Sequence, residues 1–307
     1  MTDTQPAGPA ALPGPAGAVP SPLVTVVDER LAACGVTLLL KRDDLVHPEL
    51  PGNKYRKLRL NLAAALAAGH DTLLTFGGAY SNHLRATAAA GRLLGLRTVG
   101  VVRGDELAGR PLNPSLARAA ADGMALDFTD RATYRRKTDP EVLAALLARH
   151  GRAYVLPEGG SNALAARGCA DLGREIGDRA DVLAVACGTG GTLAGLAAGA
   201  APGRETIGFA VLRGGGFLTA DVRALQTDAF GGPRGRWRIE DRFHHGGYAR
   251  TTPALDAFAA DFTARHGAAH GLVPDPVYVA KMLYGVFALA AEGAFPRGTR
   301  IAAVITG

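Results

Sequence analysis

The chain has 307 residues, of which 48% are hydrophobic, so it can bury one large core or two smaller ones. Its formal net charge of +6 comes mostly from arginine, and its densest basic run, Arg135-Arg136-Lys137, is short. This pattern favours a solvated basic surface or an anionic small ligand over nucleic-acid binding, so we expect no nucleic-acid partner.

The cysteines indicate a reducing compartment. Cys34, Cys169 and Cys187 are odd in number and lack metal-ligand spacing, so we interpret them as buried free thiols. Adjacent His244 and His245 point apart, and we expect no metal site. Residues 1–22 are rich in Pro, Ala and Gly, without the basic start and apolar core of a signal peptide. We expect a flexible leader, a cytoplasmic protein and no membrane partner, since no apolar stretch is long enough to span a bilayer.

After this leader, apolar runs alternate with segments of helical periodicity. The pattern predicts strands at 24–27, 38–41, 72–76, 98–102, 125–128, 153–156, 181–186, 206–211 and 300–305. It predicts helices at 53–68, 82–94, 113–122, 140–150, 161–176, 192–200, 253–266 and 278–292. The Gly- and Arg-rich stretch 213–250 is predicted to be irregular.

This alternation predicts an α/β protein with two open, twisted parallel sheets, helices on both faces of each and right-handed crossovers. We expect a large domain, 23–54 plus 161–307, and a small domain, 55–160. Ligands in such folds bind beyond the carboxyl ends of the strands, so we expect the chemistry-bearing segments to converge in a cleft between the domains.

The first of these segments is Gly52-Asn53-Lys54, which opens a helix. Gly52 permits a tight turn and Asn53 can cap the helix. A lysine held still and partly out of water can react as a neutral amine, which a Schiff base requires. Taken alone, the tripeptide would more often be an ordinary surface lysine at a helix start.

The second segment, Cys187-Gly188-Thr189-Gly190-Gly191-Thr192, follows an apolar strand and precedes a helix. Its glycines let backbone N–H groups and the helix N-terminus approach a phosphate. It lacks the Gly-Lys-Ser/Thr ending of a P-loop and the sixth-place glycine of the dinucleotide fingerprint. A glycine turn for close helix packing is the alternative.

The third segment, Ser81-Asn82-His83, lies at a strand-to-helix junction, where Ser81 or Asn82 could simply cap the helix. Tyr278, at the start of a late helix, is either a core residue or a phenol placed for proton transfer. A lysine, a polar turn and a phosphate cradle together indicate pyridoxal 5'-phosphate as the cofactor.

These motifs resemble the 1-aminocyclopropane-1-carboxylate deaminase/D-cysteine desulfhydrase family of fold type II, tryptophan-synthase-β-like pyridoxal phosphate enzymes. The resemblance runs from Leu38 to Gly307. It is carried by the segments Lys41–Asp44, Gly52–Leu58, Gly77–His83, Pro157–Ser161, Gly188–Thr192 and Asp275–Tyr278.

The resemblance implies roles for individual residues. Lys54 would form the aldimine with the cofactor and move protons, with Ser81 and Tyr278 as further catalytic residues. The cofactor would also be held by Asn82 at its ring hydroxyl, by Thr306 at its pyridine nitrogen and by the loop residues Cys187, Gly188, Thr189, Gly190, Gly191 and Thr192. The substrate would be contacted by Asn53, Ser81, Asn82, His83, Gly160 and Tyr278.

The resemblance also implies a homodimer that acts on a small amino acid by aldimine formation, proton abstraction and β-elimination. Our leading hypothesis is conversion of D-cysteine into pyruvate, sulfide and ammonia, because the terminal strand, Ile301–Thr306, lacks the second tyrosine of cyclopropane deaminases and Thr306 is similar to the threonine of the desulfhydrase-like branch. Conversion of 1-aminocyclopropane-1-carboxylate into 2-oxobutyrate and ammonia is the alternative. A non-catalytic pyridoxal phosphate-binding protein and a nucleotide-dependent α/β enzyme are rivals from other classes.

Overall fold

Ten β-strands, in two sheets, lie in the residues that the computed structural model describes, 20–50 and 52–306. The strands are β1 (Leu23–Val26), β2 (Thr37–Lys41), β3 (Thr72–Gly77), β4 (Arg97–Arg103), β5 (Met124–Thr129), β6 (Tyr154–Leu156), β7 (Val182–Cys187), β8 (Glu205–Ala210), β9 (Arg236–Glu240) and β10 (Arg300–Val304).

The helices alternate with these strands along most of the chain. They are α1 (Glu29–Ala33), α2 (Asn53–Ala67), α3 (Asn82–Leu94), α4 (Pro114–Ala121), α5 (Arg131–Arg135), α6 (Pro140–His150), α7 (Ala163–Ile176), α8 (Gly191–Gly199), α9 (Leu218–Phe230), α10 (Pro253–Phe262), α11 (Ala268–His270) and α12 (Val279–Ala291). A π-helical turn, Thr263–Gly267, joins α10 to α11.

The described residues fall into two compact units, and we call 54–161 the small unit and 20–53 with 162–306 the large unit. That these units are separately folding domains stays a prediction. The predicted leader lies outside the described residues as far as residue 19. Ser21, within its predicted span, is buried, and its hydroxyl donates to Asp43 over 3.0 Å.

The small unit contains a parallel sheet of four strands in the order β5-β4-β3-β6. Helices cover both of its faces. One face packs on α3 and α4 through residues such as Leu84 and Leu116, and the other packs on α5 and α6 through Tyr134 and Leu146. This arrangement brings the carboxyl end of β3 next to the start of α3, where the predicted Ser81-Asn82-His83 segment lies.

The large unit contains a sheet of six strands in the order β1-β2-β10-β7-β8-β9. All neighbours are parallel except β1, which runs antiparallel to β2 at the edge. Alternate residues of β7 enter opposite cores: Ala184 packs towards α10 and α12, and Leu183 packs towards α7, α8 and α9. The expected fold class, α/β with helices on both faces of mainly parallel sheets, is therefore confirmed.

The prediction that 213–250 is irregular was wrong, because this stretch contains α9 and β9. In α9, Leu218, Val222, Gln226 and Ala229 are buried at helical spacing, but the preceding glycine run obscures that pattern. In β9, arginines alternate with apolar residues, and the sheet accepts their aliphatic stems. The short helices α1 and α5 were also not predicted.

Among the described residues, no helix is long and apolar enough to cross a membrane.

Candidate active site

The turn before α2 is anchored in the large unit by two contacts. Gly52 has a φ of +64°, and a Cβ built there would lie 1.7 Å from the carbonyl oxygen of Thr306. Asn53, the next residue, donates from its Nδ2 to Thr192 Oγ1 over 2.8 Å. Lys54 follows directly in the chain and is partly buried. The position of the predicted reactive lysine is thus set by the backbone that precedes it.

The predicted phosphate loop follows the carboxyl end of β7 and leads into α8. Gly190, the N-cap residue of α8, adopts a left-handed conformation with a φ of +76° and has no side chain with which to cap the helix. The first amide N–H groups of a helix have no partner inside it, and the helix dipole is positive there. The N-terminus of α8 is therefore suited to a phosphate group.

The predicted loop residues are not equivalent in the structure. Cys187, Gly190, Gly191 and Thr192 are buried, Gly188 is partly buried and Thr189 is exposed.

Tyr278 lies beside this loop, where a Cβ built at Gly188 would be 3.4 Å from its ring. The carboxylate of Asp275 accepts hydrogen bonds from the amides of Val277, Tyr278 and Val279 over 2.7–3.0 Å, which fixes the backbone at the start of α12. The ring of Tyr248 packs edge-on against Tyr278, with centroids 6.1 Å apart. Tyr248 was not predicted, because it falls in the stretch interpreted as irregular.

In the small unit, Ser81 is the N-cap of α3, and its Oγ accepts a hydrogen bond from the amide of Leu84 over 3.3 Å. The amide N–H groups of Asn82 and His83, in the first turn of the helix, have no partner within it. Two amide donors, a hydroxyl and the positive end of a helix dipole are groups suited to binding a carboxylate.

The imidazole of His83 is buried and has a defined tautomer. Thr75 donates its hydroxyl hydrogen to the carbonyl of Leu156 over 3.0 Å, so its Oγ must accept from His83 Nε2, which is 2.8 Å away. Nδ1 is therefore unprotonated, and it has no hydrogen-bond partner in the described parts of the chain. Burial, together with the charges of Lys54 and Lys57, holds the pKa of His83 well below its usual range.

Two further residues support this imidazole and the adjoining loop. A Cβ built at Gly160, whose φ is +64°, would lie 2.7 Å from His83 Cε1, so only glycine lets the two approach. The buried ammonium of Lys57, one turn after Lys54 on α2, donates to Gly159 O over 3.0 Å and to Ser161 Oγ over 2.9 Å. Lys57 was not predicted as a site residue, although it lies in the motif that carried the resemblance.

The predicted site residues therefore gather in two groups. In the large unit the structure brings together the turn Gly52–Asn53, the loop 188–192, Tyr278 and Thr306. In the small unit it brings together the start of α2 and α3, with His83 next to Gly160.

Each of these groups, taken by itself, has features that suit pyridoxal phosphate. The glycine-capped start of α8 suits the phosphate, and Thr306 is a buried residue whose backbone carbonyl packs against Gly52. Lys54, the residue that follows Asn53 in the sequence, has the amine that a Schiff base requires.

Comparison with known proteins supports this assignment. A family model described as pyridoxal-phosphate dependent enzyme matches residues 17–307. A putative 1-aminocyclopropane-1-carboxylate deaminase of Pyrococcus horikoshii is 33% identical over 285 residues, which cover 89% of this chain and 85% of that protein. A D-cysteine desulfhydrase of Klebsiella pneumoniae is 33% identical over 274 residues, covering 82% of this chain and 80% of that protein.

Solved structures show the same fold. The crystal structure of a 1-aminocyclopropane-1-carboxylate deaminase homologue matches with a TM-score of 0.79 and 29% identity, covering 94% of this chain and 89% of that one. O-acetylserine dependent cystathionine β-synthase of Helicobacter pylori, at 15% identity and a TM-score of 0.61, covers 93% of this chain and 92% of its own and shares the fold.

The fold and the site thus define a fold type II pyridoxal phosphate enzyme. The chain belongs to the pyridoxal phosphate-dependent enzyme family, and within it to the lyases that comprise 1-aminocyclopropane-1-carboxylate deaminases and D-cysteine desulfhydrases.

Proposed function

We propose that the protein is a D-cysteine desulfhydrase, which converts D-cysteine and water into pyruvate, hydrogen sulfide and ammonia. The observation that carries the proposal is the nature of Thr306, a buried hydroxyl rather than a carboxylate at the end of β10. When bound, the cofactor supplies an electron sink, and a neutral partner at its ring nitrogen makes that sink weaker than a carboxylate would. A weak sink suits elimination of sulfide, a good leaving group, better than cleavage of a carbon–carbon bond.

The cofactor would be held by the start of α8 at its phosphate, by Asn82 at its ring hydroxyl, by Thr306 at its ring nitrogen and by the amine of Lys54. Cys187, at the end of β7, would only support the loop, since it is 2% exposed.

The substrate carboxylate would bind at the N-terminus of α3, through the hydroxyl of Ser81 and the amides of Asn82 and His83. The imidazole of His83 would not bind the carboxylate, because its bare Nδ1 is an acceptor and its Nε2–H is already donated to Thr75. Asn53 and Gly160 would shape the substrate pocket indirectly, one through Thr192 and the other through the ring of His83.

The proposed proton movements use two side chains. The Nζ of Lys54 would take the proton from Cα, and the Cβ–S bond would break with its electron pair on sulfur. The phenol of Tyr278, next to Gly188, would give the leaving sulfur its proton. Water would then hydrolyse the released 2-aminoacrylate to pyruvate and ammonia, so the reaction is a lyase reaction followed by hydrolysis in solution.

The test is an assay of purified, cofactor-loaded enzyme with D-cysteine and 1-aminocyclopropane-1-carboxylate offered in parallel. We expect pyruvate and sulfide from D-cysteine and no product from the cyclopropane. Formation of 2-oxobutyrate would instead support ring-opening deamination, which the names of the Pyrococcus relatives favour. If neither substrate reacts and a broad amino-acid panel also gives no keto acid, the non-catalytic alternative would stand.

Two variants test the proposed roles of Lys54 and Tyr278 in the same assay. Lys54→Ala should lose both turnover and the visible absorbance of the bound cofactor, because the amine is the covalent attachment point. Tyr278→Phe should lose turnover while keeping the absorbance. Equal loss of both in Tyr278→Phe would point to a structural role for this ring.

We infer, finally, that the protein acts in the cytoplasm as a homodimer. The support is the resemblance to the family and the free thiol of Cys34, which is typical of a reducing compartment. Light scattering of the purified protein measures the oligomeric state directly, and a monomeric mass would contradict the dimer.

A further inference from the structure

The segment from His244 to Arg250 is held in a strained conformation. His245 and Ala249 have φ angles of 48° and 54°, which residues other than glycine rarely adopt. Gly246 and Gly247 between them have φ angles of 93° and 116°. Such a conformation persists only where surrounding contacts over-determine it, and it is often found near functional sites.

Lys281 supplies one of these contacts from α12. Its side chain is 1% exposed, and its Nζ donates to the carbonyl oxygen of Gly247 over 2.7 Å. Within the described residues no carboxylate lies at ion-pair distance from it. Burial lowers the pKa of the Lys281 ammonium, and the charge of Asp275 partly opposes this. A buried lysine bound to one neutral carbonyl is costly, which suggests that it is retained for its effect on the segment.

The same segment returns to the candidate site through Tyr248. Its ring, next in sequence to Gly247, packs on Tyr278 at an interplanar angle of 72°. Tyr278 lies three residues before Lys281, at the start of the same helix. The helix therefore holds the segment through Lys281, and the segment in turn contacts the ring of Tyr278, whose backbone amide is bound to Asp275.

We propose that Lys281 is a positioning residue, which fixes segment 244–250 so that Tyr248 holds the ring of Tyr278 in place for catalysis. The proposal deepens the proposed function and rests on it for the role of Tyr278. Lys281 itself touches neither substrate nor cofactor in this scheme.

The test compares Lys281→Met, which keeps the length and apolar stem of the side chain, with the wild-type holoenzyme. Hydrogen exchange of the amides in 244–250 should become at least about 10-fold faster, while exchange in the β7 and β8 strands stays unchanged. With D-cysteine, kcat should fall at least about 10-fold and KM should change less than about 3-fold, because misplacing a catalytic group affects the reaction step more than binding. Lys281→Arg, which keeps the donor and the charge, should recover part of kcat.

A double-mutant cycle tests whether the effect passes through Tyr248. In a Tyr248→Ala background, Lys281→Met should change kcat by less than about 2-fold, because the coupled contact is already lost. A full effect in that background would overturn the proposal. Lys41→Met is the matched control, because Lys41 is also a fully buried lysine of the large unit but binds Glu175 and Ser21. This variant should lower the stability of the protein without changing kcat.

The two proposals fail in different ways. Unchanged hydrogen exchange in 244–250, with a wild-type enzyme that consumes D-cysteine, would overturn the role of Lys281. Faster exchange in Lys281→Met, with a wild-type enzyme inert towards D-cysteine, would overturn the proposed function and leave the structural role of Lys281 intact. If Lys281→Met does not fold, Lys281→Gln gives the same comparison of hydrogen exchange, because the shorter glutamine side chain cannot reach the carbonyl oxygen of Gly247 as the lysine does.

Discussion

At the scale of single residues, His83 shows how one hydroxyl group determines the state of a titratable side chain. Thr75 can donate only one hydrogen, and it donates that to Leu156, so the imidazole must present its N–H to Thr75. The sequence located His83 in the site segment, as a substrate contact implied by the family resemblance. It could not supply the tautomer, because Thr75 and Leu156 come from other strands of the sheet.

This arrangement predicts a pH dependence of stability. The unfolded chain binds a proton at His83 below about pH 6.5, whereas the folded chain does not, because the pKa of the buried ring is lowered. The contribution of His83 to the free energy of unfolding is thus at its full value above about pH 6.5. It falls by up to about 1.4 kcal/mol per pH unit as the pH drops below that value. Urea unfolding at pH 5 to 8 of wild type and His83→Gln measures this.

The difference in unfolding free energy between the two proteins should be constant above about pH 7 and should shift against the wild type below about pH 6.5. His245 and His270 also have lowered pKa values, but they are present in both proteins and cancel in the comparison. A difference that stays constant down to pH 5 would mean that His83 is protonated equally in both states.

At the scale of elements, prediction succeeded where local signals agree. Helix α3 begins after the Ser81 cap and ends before Gly95, whose φ is +68°, and both ends match the prediction. Prediction failed for α9 and β9. The glycines and arginines in this stretch have a low propensity for regular secondary structure, and the packing that stabilises both elements comes from distant strands. Tyr248 and Lys281 were missed as site residues for the same reason: their contacts join the misread stretch to α12.

Helix α9 also determines how the phosphate loop can vary. A Cβ built at Gly190 would lie 2.7 Å from Cγ2 of Val222, a buried and stiff side chain on α9. Gly190→Ala should therefore distort the loop and weaken pyridoxal phosphate binding at least about 10-fold, or about 1.4 kcal/mol. Absorbance titration of the apoenzyme measures this affinity.

The control for this variant is Gly214→Ala, because Gly214 has a similar φ of +73° but no neighbouring atom within 4 Å of a built Cβ. It also places an alanine at a positive φ, with a ψ of 39° against −21° at Gly190, and should leave cofactor affinity within about 2-fold of wild type. Equal losses in both variants would assign the effect to backbone strain rather than to the contact with α9.

At the scale of the whole molecule, the two sheets and the family were foreseeable from the alternation of strands and helices and from motifs along the chain. What the sequence could not supply was the joining of distant segments within each unit, such as the turn at Gly52 with the end of β10. Cofactor binding should stabilise the folded chain as a whole, because a ligand that binds only the native state shifts the unfolding equilibrium.

At a pyridoxal phosphate concentration of 100 Kd the expected gain is about 2.7 kcal/mol, which for a chain of this length corresponds to a rise in Tm of roughly 5 °C. Thermal unfolding of the apoenzyme with and without cofactor measures it. Pyridoxal without the phosphate should give a smaller rise, and Lys54→Ala should reduce the effect of pyridoxal phosphate. No rise in the wild type would contradict the cofactor site described here.

The contact between Gly52 and Thr306 involves backbone atoms only, and it leaves no room for a side chain at position 52. The contact is made by the Cα of Gly52 and the backbone carbonyl of Thr306, so any side chain at position 52 would push the start of α2 away from the chain that follows β10. Divergence in substrate range, in nature or in the laboratory, would therefore have to come from positions other than Gly52, and Tyr248, which packs on Tyr278 without a catalytic role of its own, is one such position.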